Sequence, residues 1–174
     1  MPDSDQPLGQ YAVAAQFAQM LWLLPQSMQT VFLPHLSVTQ ADKAILTAKA
    51  ARVMFISLLP IFAALTVTAP LIKTIAGQDY AGAVAPFMLF LPGMFLFGST
   101  RPFDSFLTHS EKPLYAAVNS WIGVLANVGM NLYLIPKMGI AGAALASTAS
   151  TALMALITTG CFIRETKLAL SQLI

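Results

Sequence analysis

The sequence predicts an all-α fold, a polytopic bundle of five transmembrane helices, and three observations predict it. Charged residues make up 9% of the 174 residues, against about 25% in an average soluble domain. Mean hydropathy is +0.72. The apolar residues gather into five runs, at 11–33, 53–72, 81–107, 114–135 and 140–163. A helix needs about 20 mostly apolar residues to cross the hydrocarbon core, and each run supplies them.

Too few polar residues remain to clothe a soluble domain. The nine cations are scattered, so the net charge of +2 makes no nucleic-acid footprint. The single cysteine, Cys161, can form no internal disulfide and reads as a small packing residue. The opening MPDSDQP is acidic where a signal peptide would be basic, so residues 1–10 are expected to be a short segment outside the membrane.

The loops set the expected orientation. Lys43, Lys49, Arg52, Arg101, Lys112, Arg164 and Lys167 fall on one side of the five spans, and Lys73 and Lys137 on the other. The positive-inside rule puts the first group in the cytoplasm. The N-terminus is then periplasmic and the tail 164–174 cytoplasmic, where its alternating charges and leucines suit the membrane surface. An odd number of helices entered from an acidic outer end fits the back part of a longer protein.

The first helix carries a polar stripe. At 100° per residue Gln19, Trp22, Gln26 and Gln29 share an arc of about 80°, with Tyr11 on the same side and Gln16 at its margin. One reading is interhelical hydrogen bonding. The other is the wall of a wet cavity, where amides that both donate and accept suit a polyhydroxylated ligand. Pro25 kinks this helix, Pro60 and Pro70 the second, and Pro86, Pro92 and Pro102 the third. Gly93 and Gly98 beside Pro92 make the third helix the candidate hinge, the alternative being static kinks that shape the bundle.

In the third run Arg101 and Asp104 stand one turn apart on a shared face. Either the span ends near Thr100 and leaves a surface pair, or Arg101 is a cation at the inner mouth of a path, neutralised at rest by Asp104. On the fourth helix Asn119, Asn127 and Asn131 cluster within about a third of a turn, as packing contacts or path lining. Trp121 and Tyr133 lie nearer its ends, as interface anchors do. The fifth helix repeats small residues every four positions, Gly142, Ala146 and Ser150, and again Ala143, Ser147 and Thr151, which reads as close helix packing. His35, His109 and Glu111 read as interfacial.

Catalytic patterns are missing: there is no paired-carboxylate site, no metal-ligand cluster and no Gly-rich phosphate loop. Neither an enzyme nor a cofactor or metal is expected.

Three stretches resemble a known family. LGQYAVAAQFAQMLWLLPQSMQTVFLPHLS is similar to the eighth helix of polysaccharide flippases, and IAGQDYAGAVAPFMLFLPG to their next loop and helix. LIPKMGIAGAALAST is close to the family's signature. The resemblance, from about Leu8 to Ile163, is to the C-terminal domain of polysaccharide biosynthesis proteins, flippases of O-antigen and exopolysaccharide within the multidrug/oligosaccharidyl-lipid/polysaccharide exporter superfamily. It implies the C-terminal part, the last five helices, of a 12-helix flippase-like fold in the bacterial inner membrane. It also implies an undecaprenyl-pyrophosphate-linked glycan as substrate. The partners then expected are that lipid-linked glycan, membrane lipids, and a companion N-terminal half or a second copy. The competing expectations are a multidrug exporter of the same superfamily, which would favour cavity carboxylates, and a non-transporting subunit or the remnant of a disrupted gene.

Overall fold

A computed structural model describes residues 6–32, 40–109 and 113–167, and among these there is no strand. The side chain of Gln29, together with His35, the His109 side chain, Glu111 and the tail beyond Lys167, lies outside the described residues.

The helices are α1 (Gln6–Ala18), α2 (Met20–Phe32), α3 (Gln40–Thr68), α4 (Ile72–Ile75), α5 (Val84–Ser99), α6 (Arg101–His109), α7 (Pro113–Met138) and α8 (Ile140–Thr166). Short 3-10 turns join α3 to α4 and lead into α5. Four helical stretches are long and apolar enough to cross a membrane: Lys43–Ile75, Gln78–Ser99, Leu114–Met138 and Ile140–Thr166. The chain is therefore a multi-pass membrane protein. The first apolar run, expected as one span, is instead two 13-residue helices.

The break in that run sits at Gln19. Pro25 has no N–H for the Leu21 carbonyl, and its ring crowds that carbonyl from one turn away. The turn before it tightens: the Trp22 N–H reaches Gln19, three residues back, at 2.9 Å. The third run is also broken, at Thr100. Pro102 has no N–H to offer Gly98, so α5 stops at Ser99 and α6 begins at Arg101 with proline in its first turn. The Ser99 and Thr100 hydroxyls donate to the carbonyls of Leu96 and Phe97, at 2.8 and 3.1 Å, and Leu96 also keeps a bond from the Thr100 N–H at 3.3 Å.

Helix α5 is the hub. It packs on α1, α3 and α8, and α8 packs in turn on α7. One core gathers Ala14, Ala18 and Leu21 of the first pair, Met54 and Leu58 of α3, and Phe87, Phe90 and Leu91 of α5. A second core lies at the other end, where Phe103, Phe106 and Leu107 of α6 meet Ala44 and Ala51 of α3 and Phe162 of α8. Phe162 stacks on Phe103 at 4.3 Å between ring centroids. The elements around this second core bear Lys43, Lys49, Arg52, Arg101 and Arg164, so the cation-rich segments meet at one end of the bundle. The stretch Lys43–Ile75 has 33 residues, about 50 Å of helix. That exceeds the bilayer core, which leaves its basic first turns room to stand outside it.

Polar side chains tie α7 to α8. Tyr115 Oη and Asn119 Nδ2 both donate to Thr158 Oγ1, each at 3.0 Å. Asn127 Nδ2 donates to Ser150 Oγ at 3.2 Å, and within α7 Asn131 Nδ2 donates to Asn127 Oδ1 at 2.8 Å. The two helices form an antiparallel hairpin joined by Gly139 alone, at φ 58° and ψ −134°, a backbone state that glycine tolerates. Beside it Gly142 lies so close to the Leu134 carbonyl that a β-carbon would collide with it. The LIPKMGIAGAALAST stretch is thus a one-residue helical turn and its close-packed base.

The predicted small-residue face of α8 is buried at Gly142, Ala146 and Ser150. Gly93 of α5 comes equally close to the other side of α8: a β-carbon there would sit 2.7 Å from Thr148 Cα. Thr148 Oγ1 donates to the Leu89 carbonyl of α5, one turn before Gly93. The stretch that holds Pro92 is thereby clamped to its neighbour. Gly98, the second glycine of the candidate hinge, faces Pro25 and Leu58, with 3.1 and 3.2 Å left for a β-carbon. Away from these seams, Val53, Ile56 and Leu59 of α3 and Val118, Leu125 and Leu132 of α7 are exposed, as lipid-facing residues are.

Candidate functional site

The sequence-predicted polar residues separate into two groups. Asn119, Asn127 and Asn131 lie in the α7–α8 seam, where the amide nitrogen of each donates to a neighbouring side chain. The amide oxygens of Asn119 and Asn131 are buried without a protein partner among the described residues. All three thus bond to side chains within the α7–α8 hairpin.

The other group assembles around Arg101. Its Nη1 meets Asp104 Oδ2 at 3.1 Å, the one-turn pairing expected from the spacing, and the two side chains are 22% and 25% exposed. The guanidinium carbon also lies 4.9 Å from the ring centroid of Trp22 and 5.6 Å from that of Phe97. Those two rings stack on each other, 5.2 Å apart and 13° from parallel. Three elements meet here: α2 brings Trp22, the last turn of α5 brings Phe97, and α6 opens with Arg101. All three are halves of broken runs, and interrupted helices build binding sites in many transporters because their ends expose unpaired backbone groups.

Local sequence explains each position. Pro102 ends α5 and makes Arg101 the first residue of a new helix, just past the apolar stretch. Asp104 then falls in the first turn of α6, where a carboxylate is favoured by the helix dipole. Burial pushes the Asp104 carboxyl above its usual range, and the charge of Arg101 acts in the opposite direction. The pair is thus held by geometry against a desolvation cost.

The glutamine stripe flanks this junction. Gln16, Gln19 and Gln26 are exposed, on the turns either side of half-buried Trp22. Tyr11, expected on the same side, packs against Phe90 with ring centroids 5.5 Å apart. Sequence reasoning missed Phe97. Its signal was available, since it precedes Arg101 by four residues and so shares its face, but one phenylalanine in an apolar run carries no mark of its own. Chemically, the junction offers a partly accessible guanidinium, two aromatic faces and several free-standing amides. That set suits a ligand with an anionic group and hydroxyls. Among the described residues no group of acids, histidines and cysteine is placed to hold a metal ion.

Residues 4–85 match the family described as polysaccharide biosynthesis protein. The match supports the family resemblance read from the motifs and covers α1 to the start of α5, including Trp22. No curated protein and no solved structure matches the chain.

Proposed function

We propose, on the family match over residues 4–85 and the arginine junction, that this chain is part of a membrane flippase. It moves lipid-linked oligosaccharide, the repeat units of O-antigen or exopolysaccharide, across the bacterial inner membrane. It performs no bond chemistry. The observation that carries the reading is Arg101, a guanidinium with 22% of its side chain exposed at the end of an apolar helix. A pyrophosphate-linked lipid must bring its charge past that level, and a guanidinium matches phosphate with two parallel hydrogen bonds. The exposed amides of Gln16, Gln19 and Gln26 supply donors and acceptors for the sugar hydroxyls. Asp104, paired to Arg101, differs from the open carboxylates a multidrug exporter would use for cations. Rocking of two halves around the substrate would carry it across.

Loss of the gene is expected to strip surface polysaccharide and to build up its lipid-linked repeat units inside the cell. Normal surface polysaccharide with no such build-up would overturn the proposal. In the proposed orientation the second-core end faces the cytoplasm. Reporter fusions should then show a periplasmic N-terminus and a cytoplasmic C-terminus, and a cytoplasmic N-terminus would refute that orientation.

A further inference from the structure

Trp22, Phe97 and Arg101 form a nearly equilateral triangle: 5.2 Å between the rings, and 4.9 and 5.6 Å from each ring to the guanidinium. A cation near an aromatic ring is drawn to its electron-rich face. Here two rings from two different helices share one cation, which begins a third. The Trp22 ring is therefore engaged by both Phe97 and Arg101.

We propose that Trp22 and Phe97 are positioning residues, a two-ring platform that holds the Arg101 guanidinium where a phosphate can replace Asp104 as its partner. The inference rests on the reading of Arg101 as a phosphate-binding group. It assigns a role to Phe97, and it gives Trp22 control of the arginine. If the rings served only to pack α2 on α5, any apolar side chain of similar bulk would do. If they hold the cation, the π-system is what matters.

The test uses the full chain in detergent and inorganic pyrophosphate as the probe. The protein has two tryptophans, and Trp121 is 66% exposed on α7, away from the junction. Trp121→Phe therefore leaves Trp22 as the sole reporter. Pyrophosphate should change Trp22 emission saturably, and Arg101→Gln should abolish the change. By calorimetry Trp22→Leu and Phe97→Leu should each weaken pyrophosphate binding by about tenfold. Trp22→Phe and Phe97→Tyr, which keep a ring, should lose about threefold or less. Equal affinity in the leucine and aromatic variants would overturn the platform and leave the reading of Arg101 standing. Absence of pyrophosphate binding by the unsubstituted protein would overturn both. Two positions on different helices are tested so that misfolding of one leucine variant leaves the other to decide.

Discussion

Arg101→Ala is expected to abolish translocation of a pyrophosphate-linked substrate while the protein still reaches the membrane. Losing one side of a desolvated, hydrogen-bonded charge pair costs about 2–5 kcal/mol, so transport should fall by about 30-fold or more. The substitution also leaves the Asp104 carboxylate without the group at 3.1 Å that now neutralises it. Arg101→Lys should restore only part of the activity, because an ammonium lacks the planar two-pronged contact with phosphate. Asp104→Asn should be milder, since it removes a resting partner and keeps the cation. Surface polysaccharide and membrane abundance, measured together in cells carrying each variant, separate these outcomes. Normal transport by Arg101→Ala would make the arginine an interfacial anchor. Loss of membrane insertion in the same variant would show that it serves assembly.

The second large effect is expected at Gly93. A β-carbon there would stand 2.7 Å from Thr148 Cα and 2.5 Å from Thr151 Oγ1. Backbone cannot swing aside as a side chain can, so α5 and α8 must separate. Gly93→Leu should destabilise the bundle by about 3 kcal/mol, the upper end for overpacking, and Gly93→Ala by less. The hydroxyl bond from Thr148 to the Leu89 carbonyl would be strained as well. Gly129→Ala is the control: nothing lies within 4 Å of a β-carbon at that position. Alanine there should be neutral or stabilising by up to about 1 kcal/mol, from helix propensity. Unfolding midpoints in detergent would check the series. An unchanged midpoint in Gly93→Leu would show that the seam can open freely, as a hinge requires.

That comparison bears on what was legible in the sequence. Hydropathy located α3, α7 and α8, since a long apolar run has one stable state in a bilayer. It gave the second helix as 53–72, whereas the helical stretch runs Lys43–Ile75. Apolar counting sees only the part inside the hydrocarbon. The break at Gln19 was beyond it, and an end near Thr100 was one of two expectations, because Pro25 and Pro102 announce distortion without saying whether a helix bends or parts. Gly93 and Gly98 looked like a hinge for the same reason. Glycine grants both freedom and close approach, and only the opposing backbone of Thr148 or ring of Pro25 tells them apart. For the site, the Arg101–Asp104 pair was readable from its spacing of three. The meeting of Trp22 with Arg101 was not, because 79 residues and a broken helix separate them in the chain. The asparagines of α7 were recognisable as polar and alike, but the partners of Asn119 and Asn127 depended on Ser147, Ser150 and Thr158 of α8.

The single-residue turn at Gly139 bears on how the protein is made and handled. A connection of one residue gives a protease no exposed strand to grip and gives an engineer no loop in which to place an epitope. Partners so near in sequence find each other with little loop-closure entropy, so α7 and α8, the last described helices, need no other element to bring them together.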